Sequence, residues 1–248
     1  MRVAVAGGTG VVGRHVVDAL RDRGHEPVVL ARSTGVDIYS GVGLDEGLVG
    51  AQVLIDVSDI DAIRRAACER FFRTSTSNLV EAGRRAGVEH LVVLSIVGSD
   101  RVDLGYYMGK RVQESVALEG RLPASVLRAT QFHEFPSQLL DRAPRGPAVP
   151  VPRMRSQTVA AKEVAQVLVD VALAAPIGMA GDVAGPEAHE MADLVRKVLR
   201  SRGSRRIVIQ VPLPGAAGKK AASGALLPTG EFVRGRQTFA EWLEAQTP

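Results

Sequence analysis

The chain is short of several things, and each shortage removes a class of function. Cys68 is the single cysteine among 248 residues. One thiol cannot close an intramolecular disulfide, and it cannot build a cysteine-cluster metal site. It sits in a helical stretch, where a small apolar filler is expected and a nucleophile is not. Aromatic residues make up only 4%. No basic block carries interleaved aromatics, so no nucleic-acid partner is expected. No apolar run reaches bilayer-spanning length, so no membrane partner is expected. The first strand starts beside Met1, which leaves out a signal peptide and predicts a cytoplasmic protein. His133 and Glu134 are adjacent, and no HExxH spacing occurs, so no metal is expected. A G-x-S-x-G elbow and a P-loop lysine are both missing. An excess of one charge is also lacking, since 31 basic against 27 acidic residues leave +4.

What is present points to a globular α/β protein. Hydrophobic residues reach 46%, enough for a packed core. The length suits a single unit with a small lobe. Residues 1–140 are expected to be mainly the core and residues 141–248 mainly a second lobe that partly returns to that core.

The first 32 residues organise the rest. Val3 to Ala6 has the length of a buried strand. Gly7, Gly8, Thr9, Gly10 and Gly13 follow. Val12, Val16, Val17 and Leu20 then recur at helical spacing, Gly24 stops the helix, and Pro27 to Ala31 reads as a second strand. Gly8, Gly10 and Gly13 fit G-x-G-x-x-G inside a strand–turn–helix–strand unit, the setting of a dinucleotide-binding loop. Gly8 is expected to make the tight turn, Gly10 to let backbone approach a pyrophosphate, and Gly13 to let helix pack on strand. The helix N-terminus then offers free amides and a favourable dipole to phosphate. Arg32 and Ser33 end the second strand, where an NAD site usually has Asp or Glu. An Arg there suits a 2′-phosphate, so NADP is preferred, with NAD as the alternative.

Further along, short strands are expected at Gly35–Tyr39, Gln52–Val57, His90–Val97 and Ser125–Ala129. Helices are expected at Leu44–Val49, Arg64–Ala86, with a possible bend at Thr74–Ser77, and Tyr106–Glu119. This alternation predicts a Rossmann-type, doubly wound parallel sheet with a small C-terminal α+β lobe. Asp56, Val57 and Ser58 stand at a strand's carboxyl end, where cofactor grooves lie. Asp37 is a weaker candidate for the adenine side. Residues 141–155 are rich in Pro and Gly and read as a loop. Later come helices at Lys162–Ala175 and Ala188–Leu199, strands at Asp182–Ala184 and Arg206–Val211, a turn at Pro212–Gly215, and a last helix at Thr238–Ala245. Its Trp242 is expected to be a core anchor.

The chemistry-bearing pattern is Tyr106 and Lys110, four apart within YYMGK. On a helix they share a face. An ammonium beside a phenol lowers the phenol's pKa, so Tyr106 is expected to exchange a proton with a carbonyl oxygen. Lys110 is also placed on the nicotinamide ribose, and Ser95 on the same oxygen. Tyr107 is the rival phenol. Val97, Gln131, Phe132, His133 and Phe135 are the candidate lining of a substrate pocket.

GGTGVVG, LVVLSIVG, YYMGKRVQES and LRATQFHEF, with VAGPE and GALLP in the tail, together resemble the short-chain dehydrogenase/reductase superfamily. The branch they resemble is the atypical, NmrA-like NAD(P)-binding one, of actinobacterial type. The resemblance implies NAD(P) held by Gly7, Thr9, Gly10, Val11, Val12, Gly13, Arg32, Ser33, Asp56, Val57, Ser58 and Lys110. It implies a catalytic set of Tyr106, Lys110 and Ser95, although Ser95 precedes Ile96 where many relatives carry Ser or Thr. It implies an NAD(P)H-dependent oxidoreductase of small aromatic, quinone or ketone substrates, with secondary metabolism as one setting, as a monomer or homodimer. Two alternatives stay open. One is a regulatory protein that senses NAD(P) without turnover. The other is an oxygenating tailoring enzyme.

Overall fold

The computed structural model describes residues 1–246. Seven strands form one parallel sheet. In chain order they are β1 (Arg2–Ala6), β2 (Glu26–Leu30), β3 (Val53–Asp56), β4 (His90–Ile96), β5 (Ala124–Ala129), β8 (Gly178–Ala184) and β11 (Phe232–Arg234). Their spatial order is β11-β8-β5-β4-β3-β1-β2. The chain therefore runs outward from β1 to β2, then crosses back to β3 and continues the other way. Such a reversal opens a crevice at the strands' carboxyl ends. The central strands are continuous apolar runs because helices cover both faces.

One face carries α1 (Val11–Asp22) and α6 (Ala161–Leu173), which bury Val16, Leu20, Val164 and Leu168 against Val5, Ile55 and Val92. The other carries α2 (Leu44–Gly47), α3 (Arg65–Ala86) and α4 (Gly105–Glu119), with Leu44, Leu79 and Ala117 packed on Ala4, Leu54 and Val93. The α3–α4 crossing is close. A Cβ at Gly109 would lie 2.7 Å from that of Cys68. Cys68 is fully buried there, as a small filler, and burial pushes its thiol pKa up.

A third core lies in the C-terminal lobe, built on α5 (Phe135–Arg142), α7 (Met191–Ser201), α8 (Gly215–Ala222) and α9 (Phe239–Glu244). Two small sheets belong to it. One pairs β6 (Ala148–Pro152) with β10 (Ile207–Val211) in parallel. The other pairs β7 (Arg155–Ser156) with β9 (His189–Glu190) in antiparallel. Trp242 packs on Phe239 and His133, an anchor as expected.

Several expectations are corrected. Gly35–Tyr39 is a turn, because the Asp37 carboxylate accepts from the Tyr39 amide and the Ser40 hydroxyl. Thr74–Ser77 does not break α3, which runs unbroken from Arg65 to Ala86 with Ser75 and Thr76 buried. Residues 141–155 are not a loop throughout. Pro136 enters α5 at its first turn, where proline's missing amide is not needed. β6 tolerates Pro150 and Pro152 because its ladder to β10 uses the odd-numbered amides, as at Arg153 donating to the Val211 carbonyl. The prolines fall on the free edge. α8 and β11 carry too weak a periodicity to be read in advance.

Candidate active site

β1 leaves the sheet through Gly7, whose φ is +79°. A Cβ there would lie 2.8 Å from the Val57 carbonyl. The turn expected of Gly8 is thus made by Gly7, and a Cβ at Gly8 would meet the Val29 methyls at 3.0 and 3.2 Å and the Val5 carbonyl at 3.2 Å. Gly13 is the tightest point, since a Cβ there would fall 2.1 Å from the Gly7 carbonyl. The working spacing is Gly7, Gly10, Gly13, with helix packed on turn. Gly10 stands at the N-cap without a side-chain cap, and the first turn of α1 holds no acid. The amides of Val11, Val12 and Gly13 have no acceptor within the helix. Thr9 lies exposed beside them, its carbonyl taken by Arg14.

Arg32 and Ser33 lie exposed in a short turn after β2. The Thr34 hydroxyl accepts from the Ala31 amide and faces the carbonyls of Val29 and Ala31. It holds the turn and leaves Arg32 without an ion pair among the described residues. Asp37, spent on its own turn, is not free for the adenine side. Its pKa is pulled down, first by the Tyr39 amide.

At the end of β3, Asp56 is fully buried and accepts from the Ser58 amide at 2.9 Å and from Gln113 Nε2 at 2.8 Å. Its carboxylate shapes the turn and does not face the groove, a correction to its expected role. Val57 donates its amide to the Ala6 carbonyl. Ser58 presses its backbone on Gly7, and its buried hydroxyl has no partner among the described residues. A crushed glycine turn, uncapped amides and an orphaned hydroxyl meet at one place. That donor set fits a diphosphate and lacks any metal-ligating group.

Helix α4 brings Tyr106 and Lys110 to one region but not to each other. Tyr106 donates to Asp59 Oδ1 at 2.5 Å and stands edge-on to Phe72. Lys110 is buried, donates to Gln113 Oε1 and lies 4.6 Å over the Phe72 ring. Burial pulls the Lys110 pKa down, against the charges of Asp56, Asp59 and Glu114. The Tyr106 pKa moves up, first through burial and then through the Asp59 charge. The expected acidification of Tyr106 is therefore reversed, because the phenol is buried and its neighbour is a carboxylate and not the ammonium.

Ser95 is also corrected. Its hydroxyl donates to Glu114 Oε1 at 2.5 Å, which accepts in addition from Ser99 and Arg128. It belongs to a buried ionic network behind the sheet. Of the pocket candidates, Val97 is fully buried, and Phe132 packs against the α1–α6 core. His133 is 1% exposed, and Nε2 donates to the Gln237 carbonyl while Nδ1 accepts from Thr158. Both its nitrogens are taken. Burial lowers its pKa and keeps it neutral. Phe135 packs into the lobe core.

Gln131 remains. Its Nε2 donates to the Tyr107 hydroxyl at 3.0 Å, and its Oε1 accepts from Ser156 at 2.5 Å. Burial pushes the Tyr107 pKa up to about 12. Three contributors escaped the sequence: Asp59, Gln113 and Ser156. Gln113 stands three residues after Lys110 on α4, a helical spacing that signals contact. Asp59 and Ser156 lie outside any periodic stretch and give no signal.

A family model described as NAD(P)H-binding matches residues 7–175. Among characterised proteins, a ceramide reductase of Caulobacter vibrioides is 26% identical over 238 residues, covering 86% of this chain and 74% of the relative. A photosystem II assembly factor, Ycf39, of Synechocystis is 25% identical over 236 residues, covering 86% and 71%. The NADPH complex of the quinone oxidoreductase QOR2 from Escherichia coli superposes with a TM-score of 0.75 at 17% identity, over 98% of this chain and 99% of that one. The last likeness shows the fold, a Rossmann-type α/β sheet.

Proposed function

Because the chain belongs to the NAD(P)H-binding family, we propose that it is a reductase that uses NAD(P)H on a small aromatic, quinone or ketone substrate. One observation carries the reading. The Gly7–Gly13 turn closes beneath bare amides, and the Ser58 hydroxyl is buried beside it with no partner among the described residues. The backbone of Thr9 to Gly13 would hold the diphosphate, Ser58 would line its path, and Arg32 with Ser33 would take a 2′-phosphate. Lys110 would hold the ribose next to the nicotinamide. Bound in this way, the dinucleotide supplies a hydride.

The chain's own part is to hold and give a proton. Two phenols compete. Tyr106 already donates its proton to Asp59. Tyr107 accepts from Gln131, so its own proton stays uncommitted. With its pKa pushed up to about 12, Tyr107 is protonated at neutral pH. It is the better donor to an oxygen that gains negative charge as hydride arrives. Gln131, fixed by Ser156, orients it.

The test measures NADPH consumption with quinones and aromatic ketones. Tyr107→Phe is expected to lower kcat roughly a hundredfold with cofactor affinity intact. Tyr106→Phe is expected to stay within a few-fold. Full activity in Tyr107→Phe removes Tyr107 from the mechanism. Calorimetry that finds neither NADH nor NADPH bound at millimolar concentration ends the whole proposal.

A second reading is a protein that binds the dinucleotide and regulates a partner without turnover. It is favoured by the commitment of Tyr106 to Asp59 and of Ser95 to Glu114, which leaves Tyr106, Ser95 and Lys110 unassembled. Tight dinucleotide binding with no consumption across the substrate panel would select it.

A further inference from the structure

The modest net charge hides a strong asymmetry. Between Asp193 and Glu231 the chain holds eight Lys or Arg and no Asp or Glu, and between Asp141 and Glu163 it holds five and none. The two stretches meet where β6 pairs with β10 in the C-terminal lobe. The register sets Ile207 beside Ala148, Ile209 beside Pro150 and Val211 beside Pro152. Partners in a parallel ladder point to one face. Val149 and Val151 point the other way, into the lobe core. The outer face is thus six apolar side chains without a polar one. Ile207, Ile209 and Val211 are 67%, 51% and 43% exposed. No described residue covers them.

Arginines flank the two strands along the chain. Arg205 precedes β10, Arg145 precedes β6 and Arg153 follows it. All three are exposed, and none has an ion pair or side-chain hydrogen bond among the described residues. Arg206 differs, since it is spent on the carbonyls of Pro144, Gly146 and Ala148 and fixes the loop beside the face.

We propose that this apolar face with its arginine rim docks peripherally on an anionic lipid surface, the Ile and Val side chains entering the headgroup layer and the arginines meeting phosphates. A second copy of the chain is a poor occupant, because a two-fold contact would bring arginine rims together with no carboxylate in either stretch to offset them. Nucleic acid is a poor occupant, because the centre of the patch is aliphatic and offers no aromatic ring for stacking. An apolar centre with a cationic rim is what an interfacial surface requires. The expectation of no membrane partner rested on the lack of a spanning run, which does not bear on a peripheral face.

The test is sedimentation of the full chain with vesicles. One set is phosphatidylcholine alone, and the other is phosphatidylcholine with about a third phosphatidylglycerol. Binding is expected to the second set only, and to weaken in high salt. Replacing Arg145, Arg153 and Arg205 together by Gln should weaken it roughly a hundredfold, taking each basic residue near the surface at its usual contribution. Ile207→Ser with Ile209→Ser should weaken it roughly tenfold. These residues are exposed, so circular dichroism and dinucleotide binding should be unchanged. No binding to anionic vesicles overturns the proposal, as does binding that neither variant set alters. A dimer that the Ile variants dissociate, or an oligonucleotide held more tightly than vesicles, overturns it in favour of that other occupant.

Discussion

A methyl group added at Gly13 would land 2.1 Å from the Gly7 carbonyl, closer than any real Cβ contact. That single distance explains why the helix begins where it does and why its amides face the turn. Arg32 shows the opposite situation, a long exposed side chain with no ion pair among the described residues, set after β2 by the Thr34-clamped turn. If it meets a 2′-phosphate, Arg32→Ala loses a charge-assisted pair of about 2 kcal/mol. The ratio of NADPH to NADH affinity should then fall roughly thirtyfold, as read by calorimetry with both nucleotides. An unchanged ratio rules out Arg32 as the selector. The glycine turn was legible in sequence because a missing side chain acts at a fixed offset from a strand end, although Gly7 and not Gly8 makes its tightest bend. The direction of the Tyr106 hydroxyl was not, because Asp59 reaches it from a loop.

At the scale of elements, the joint among β4, β5 and α4 is ionic where most of the sheet is apolar. Arg128 on β5 grips Glu114 on α4 in two-pronged fashion, at 2.9 and 2.6 Å, and Ser95 and Ser99 donate to the same carboxylate. The side chains of Arg128 and Glu114 are 16% and 7% exposed. Removing one partner leaves a buried charge uncompensated, which costs more than the pair itself contributes. Glu114→Gln should destabilise the protein by about 3 kcal/mol in urea unfolding, with Asp100, 3.1 Å from Arg128, limiting the loss. A change under about 1 kcal/mol would show that water already screens the joint. The helix and both strands were readable from periodicity. Their ionic fastening was not, since Ser95 looks the same in sequence whether it faces a groove or a helix. The same holds for β6, where prolines read as a loop until β10 supplies the ladder that leaves their edge free.

For the whole molecule, two buried imidazoles couple stability to pH. His90 starts β4 against Ser125, and His133 lies at the lobe joint between Thr158 and Gln237. Burial lowers both pKa values from the ordinary 6.5. The unfolded chain therefore takes up protons first as pH falls. The stability is fully present above pH 6.5, the unfolded value, and declines as pH drops toward the folded values. Urea midpoints should fall steadily as pH drops below about 6.5, and His133→Gln should flatten that slope while lowering the plateau. A midpoint independent of pH across that window would mean that both rings protonate in place.

The sequence by itself determined the layered α/β architecture, the glycine turn after β1 and the pattern of apolar faces. Each of these follows from a local period or from what glycine permits, which neighbours along the chain are enough to set. Only the tertiary structure decided which hydroxyl keeps a free proton, which serine is spent on an ion pair, and where the arginines gather around an apolar face. Those outcomes depend on partners that come from distant segments, and a side chain's hydrogen bonds and charges are settled by whatever the fold brings within about 3 Å.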